Sequence, residues 1–227
     1  MGPQNANFLT MRSTWWVACY AVAMAAVESA VVVYLRALHA GPTPASVLQY
    51  ALPQRLLLIE IGREVATLVM ILAVAALAAR TARETFLYFA FSFGVWDIFY
   101  YIWLWVFIGW PPSLFTWDFL FLIPVPWIGP VLAPVIVSLS LVVGSLWLLA
   151  RPSFVVPRLA WGLAILGAVL VVLSFTVDYR YALLATDPPR FRWELFGAGM
   201  VVAVGGMTVT TRVSRALKGR LGESASP

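Results

Sequence analysis

The sequence predicts an all-α, polytopic integral membrane helical bundle of about six transmembrane helices, with both chain ends in the cytoplasm. Three observations carry that expectation. Of the 227 residues, 62% are hydrophobic and 11% charged, against roughly 25% charged in soluble domains, and the mean hydropathy is +0.90. The apolar residues fall into runs long enough for a ~30 Å hydrocarbon layer, which takes about 20 helical residues to cross. The basic residues sit at the ends of those runs rather than along one solvated face, so the net charge of +5 reads as a topology signal and not as a nucleic-acid surface.

Taken in order, the predicted spans are residues 15–35, 56–79, 85–109, 131–150, 159–177 and 193–213, forming a single membrane domain, with 214–227 as a short basic cytoplasmic tail. Arg12 and the small residues Ala21-Val22-Ala23 invite comparison with a signal peptide. The first apolar run continues to Leu35, which favours a retained helix. Arg12, Arg80, Arg83, Arg151, Arg158, Arg212, Arg215, Lys218 and Arg220 fall on one side of the spans and Arg36, Arg55, Arg180, Arg190 and Arg192 on the other. The richer side is cytoplasmic by the positive-inside rule. Tryptophans agree: Trp15, Trp16, Trp147 and Trp161 mark one interface, and Trp110, Trp117, Trp127 and Trp193 the other. The expected location is the bacterial inner (cytoplasmic) membrane.

The outward loops are apolar. Thr43-Pro44 reads as an N-cap followed by proline at the first helical position, so a short interfacial helix ending near Pro53 is expected. Residues 111–130 carry Trp117, Asp118, Phe119, Phe121 and Trp127, while Pro124, Pro126 and Pro130 block a continuous helix. An interfacial or re-entrant segment is predicted there. At membrane depth such backbone needs protein or water around it.

Charge inside the apolar runs is concentrated in the first three. Glu60, Arg63, Glu64 and Thr67 stand at i, i+3, i+4 and i+7, on one stripe of the second helix. Below them the stripe turns apolar at Ile71 and Val74, the pattern of a pocket rather than a channel. At 1.5 Å per residue, Glu28 and Asp97 lie about 18–20 Å from the cytoplasmic ends of their spans, and Glu60, Arg63 and Glu64 about 6–13 Å in from the other side. Sequential spans pack as neighbours, so these residues are expected to converge. A lone charge at such depth costs about 2.5–3.5 kcal/mol even on insertion scales. Four acids with one arginine carry a formal charge of minus three, so the site must hold protons, admit water or bind a cation. Tyr100 and Tyr101, at i+3 and i+4 from Asp97, are placed to hydrogen-bond it, and Gly94 invites close approach of another helix.

The candidate ligand- or proton-binding residues are therefore Glu28, Glu60, Arg63, Glu64, Asp97, Tyr100 and Tyr101. Thr67, Trp96 and Asp118 are secondary, and Asp118 fits a loop or helix-cap role better than a place in the pocket. The competing reading makes the cluster an ion-pair staple between spans. Gly199 and Ala203 form a small-xxx-small pair suited to helix packing. Counting removes other chemistries: with one histidine, His39, and one cysteine, Cys19, there is no HExxH zinc motif, bis-His haem site or internal disulfide. No metal site and no cofactor is assigned.

Three functions remain. The first is proton- or cation-linked transport, or binding of a small cationic ligand. The second is a non-catalytic subunit, assembly factor or lipid-binding scaffold with a membrane-protein partner. The third is an intramembrane enzyme acting on a lipid or isoprenoid by carboxylate acid/base chemistry. Membrane lipids are expected partners in all three.

Overall fold

In the computed structural model, residues 3–39, 54–183 and 190–209 are described. The chain runs α1 (Pro3–His39), α2 (Gln54–Ala78), α3 (Ala82–Ile108), β1 (Trp117–Phe121), β2 (Trp127–Pro130), α4 (Leu132–Leu149), α5 (Arg158–Thr176), α6 (Tyr179–Leu183) and α7 (Trp193–Met200), with a π-helical turn at Val201–Gly205 continuing α7. Five helical stretches are long and apolar enough to cross a membrane: Met11–Leu38, Arg55–Ala78, Ala82–Ile108, Leu132–Leu149 and Arg158–Tyr181. A shorter apolar helix covers Trp193–Val209. The expected helix near Thr43 to Pro53, the far end of the sixth span and the basic tail lie outside the described residues.

The helices start and stop where local chemistry dictates. Thr81 caps α3, its hydroxyl accepting from the Glu84 amide at 3.2 Å, while the Glu84 carboxylate accepts from the Arg80 amide at 2.8 Å. This reciprocal arrangement satisfies N–H groups that a helix start leaves unpaired. At the other end Gly109 adopts φ 66° and returns its N–H to the Trp105 carbonyl, a left-handed stop that glycine enters without steric penalty.

Residues 111–130, expected as an interfacial or re-entrant segment that is not a continuous helix, contain an antiparallel hairpin, β1 with β2, in the register Trp117 to Pro130, Asp118 to Gly129 and Phe119 to Ile128, shifted by a bulge before Phe121 to Trp127. The prolines that stop a helix lie in the turn and at the strand end, places where a missing N–H does no harm. Backbone bonds from Val131 to Thr116 (3.0 Å) and Leu132 to Leu114 (2.8 Å) fuse the base of the hairpin to the start of α4.

Contacts divide the chain into two compact units, residues 1–152 with 179–187, and residues 153–178 with 188–227. In the first, α3 is central and packs against α1, α2 and α4. Its core holds Ala21, Met24, Ala25, Ile71 and Trp96, with Phe93 and Phe121 packed against it. Gly94 does what its size allows: a Cβ there would lie 2.6 Å from the Ser138 carbonyl oxygen of α4. In the second unit α5 packs on α7. A Cβ on Gly167 would sit 2.5 Å from the Gly199 carbonyl oxygen and the Ala203 amide, and one on Gly199 would sit 2.8 Å from the Gly167 carbonyl oxygen. Phe175, Phe191, Trp193 and Phe196 form an aromatic cluster beside that contact.

Candidate functional site

α1, α2 and α3 each bring an acid to one cavity, and strand β1 of the hairpin forms another of its walls. Glu28, Arg63, Glu64, Thr67, Trp96, Asp97, Tyr100 and Tyr101 line it, together with Phe119, Leu120 and Phe121 of β1. The space open to the centres of water-sized molecules is about 50 Å³, several times the roughly 10–15 Å³ that one water needs. Among the described residues, no three His, Cys, Asp or Glu side chains are grouped to hold a metal ion. The acids occupy separate walls.

The stripe on α2 divides the charges into two sets. Arg63 reaches back along its own helix to Glu60, its Nε at 3.0 Å and its Nη2 at 2.8 Å from the same carboxylate oxygen. Its Nη1 forms an ion pair with Glu28 of α1. Thr67 donates to the other Glu28 oxygen at 2.7 Å. Glu28, Glu60 and Thr67 are buried, at 5%, 6% and 1% exposure, so this group joins α1 to α2 through satisfied charges. Glu60 itself is not among the lining residues, which corrects the expectation that all four acids share the pocket.

Glu64 and Asp97 form the other set. Both oxygens of Glu64 face the amide of Leu122, at 3.1 and 3.0 Å, just past the end of β1. Asp97 accepts from the Ser138 hydroxyl of α4 at 2.7 Å. The expected bonds from Tyr100 and Tyr101 to Asp97 are not formed. Tyr101 instead hydrogen-bonds Asp118, while the Tyr100 carbonyl accepts from Ser29 at 2.9 Å. Neither Glu64 nor Asp97 has a cationic side chain in ion-pair range among the described residues. An isolated charge in that position is unfavourable unless a proton, water or a cation compensates it.

Asp118 is neither a cap nor a loop residue. It lies in β1, 2% exposed, with Arg36 at 3.7 Å and one carboxylate oxygen lacking a hydrogen-bond partner among the described residues. Burial pushes its pKa up to about 7, against the opposing pull of Arg36 and of bonds from Tyr101 and the Phe119 backbone. Arg36 also stacks on Trp110, 4.0 Å from the ring centroid. It thus joins the end of α1 to the base of the hairpin, a role its count as a loop charge does not reveal.

Sequence reasoning missed Leu122, Ser138, Arg36 and the roof residues Phe119, Leu120 and Phe121. Ser138 had a signal, a buried hydroxyl on an apolar helix opposite Gly94. The bond from Leu122 had none, because a backbone donor is the same in every residue but proline. Comparison with protein-family models, with curated proteins and with solved structures finds no match to this chain.

Proposed function

We propose that the chain is a multi-pass protein of the cytoplasmic membrane, with about six spans and both ends inside, whose outward-opening cavity takes up a proton or small cation in the course of transport or ligand binding. Five helices meet the length and hydropathy needed for spans. The helix from Trp193 serves as the sixth, at the short end of the roughly 17–25 residues that suffice. Arg80 in the α2–α3 connection, Arg83 in the first turn of α3 and Arg151 just past α4 lie at the ends of α3 and α4 opposite to the hairpin, which supports an outward hairpin by the positive-inside rule.

One observation carries the reading. Arg63, which also lines the cavity, is engaged by Glu28 and Glu60, so the groups that hydrogen-bond Glu64 and Asp97 there are neutral, the Leu122 amide and the Ser138 hydroxyl. In a medium of low dielectric constant such groups attract positive charge strongly. The test is proton uptake by the purified protein in detergent, followed with a pH indicator as the medium is acidified. Wild type is expected to take up more protons than Glu64→Gln/Asp97→Asn, by up to two per chain, with both proteins equally folded. Equal uptake contradicts the reading.

A further inference from the structure

The roof of the cavity is built so that one part can move while the other stays fixed. Its base is tied to α4 by the backbone bonds of Thr116 with Val131 and Leu114 with Leu132, and to α1 and α3 through Asp118 with Arg36 and Tyr101. The ladder then breaks at the bulge between Phe119 and Phe121, and a bulge is where a strand bends. Beyond it the tip, residues 122–126, is held over the cavity by the Leu122 amide on Glu64 and by the Phe121 ring, 6.5 Å from Phe93.

Resting on the reading of the cavity as a cation site, we propose that the tip of the β1–β2 hairpin is a lid that closes over the cavity once Glu64 and Asp97 are neutralised by a proton or small cation, and lifts from the anionic cavity. The charges around Glu64 are Arg63 on its own helix, Glu28 from α1 and Asp97 from α3, which line the cavity with the Tyr100 and Tyr101 phenols, and Glu60, outside the lining but one turn from Glu64 on α2, with Ser138 of α4 bound to Asp97. With every acid ionised, Glu28, Glu60, Glu64 and Asp97 against Arg63 sum to −4 + 1 = −3. Lowering Phe119, Leu120 and Phe121 onto that set removes water from it. One amide dipole from Leu122 opposes the resulting penalty, and removing the charges on Glu64 and Asp97 brings the sum to −1. Desolvating carboxylates is far less unfavourable when they are neutral. Asp118, near the hairpin base, obeys the same rule, since its burial favours the protonated form.

The experiment is a pair of spin labels at Leu58→Cys on the exposed face of α2 and Val125→Cys in the tip, in a Cys19→Ser background, with the protein in lipid nanodiscs. Pulsed dipolar distances are read at pH 8 and pH 5. The wild-type site is expected to gain the short, closed distance on acidification, the closed-to-open ratio rising at least tenfold. Glu64→Gln/Asp97→Asn, which is uncharged at both pH values and keeps an acceptor for Leu122, is expected to stay closed throughout. A distribution that does not change with pH, a shift to longer distances in acid, or a double variant that responds like wild type overturns the lid. Proton uptake without movement of the tip overturns the lid and leaves the cation reading standing.

Discussion

Around α2 the helices are joined by charge, whereas between α5 and α7 they are joined by the near absence of side chains. Arg63 links Glu28 and Glu60, and Thr67, Ser29 and Ser138 add bonds from helix to helix. Gly167, Gly199 and Ala203 instead let two backbones meet. In lipid, where apolar surfaces gain little by leaving their surroundings, both solutions work, by hydrogen bonding in one case and close van der Waals packing in the other. The difference lies in what else they permit. A glycine contact leaves no space, while a polar junction contains groups that can exchange partners, so the cavity is found in the polar unit.

That contrast can be broken from either side. The largest effect is expected from Arg63→Met, which leaves Glu28 and Glu60 buried without their cation and should lower stability by about 3–5 kcal/mol, measured by denaturant unfolding in mild detergent. Adding Glu28→Gln and Glu60→Gln to the same chain should restore most of the loss. No restoration would mean that Arg63 holds the helices by something other than charge.

Asp118→Asn comes next. A carboxyl whose pKa rises from 3.8 to about 7 on folding supports the fold below about pH 4, and that support is lost as pH rises through about 7. The variant should therefore gain stability relative to wild type between those limits, on the order of 2–4 kcal/mol in total. A flat difference across the range would show that Arg36 compensates the charge fully.

In the other unit, Gly167→Ala should lower stability by about 1–3 kcal/mol, because its Cβ meets backbone atoms at 2.5 Å. Gly162→Ala, on the same helix with nothing within 4 Å of a Cβ, should show no loss. Equal effects would remove the argument for a close contact. Smallest of the set, Thr67→Val should lower stability by about 1 kcal/mol by taking one donor from Glu28. Unchanged stability would mean that Arg63 alone satisfies that carboxylate.

What was legible in the sequence follows from the same physics. The long apolar stretches announce themselves through length, and Glu60 with Arg63 through the i, i+3 spacing. Gly199 and Ala203 were readable as a packing pair. Depth along the helices was enough to bring Glu28, Glu64 and Asp97 to one cavity. The hairpin was hidden because its strands are short and its prolines signal only that no helix can pass. The alternation of Trp117, Phe119 and Phe121 was its one clue. Partners distant along the chain, such as Arg36 for Asp118 and Leu122 for Glu64, leave no local pattern at all.

In the proposed function Glu64 and Asp97 hold and release positive charge in the cavity they line. Infrared difference spectroscopy in a pH titration observes this directly through the carboxylic C=O stretch. A protonated-carboxyl signal is expected that diminishes in Glu64→Gln, diminishes in Asp97→Asn, and is unaffected by Glu194→Gln, a change at an exposed acid. A signal that survives both cavity substitutions undiminished would contradict it.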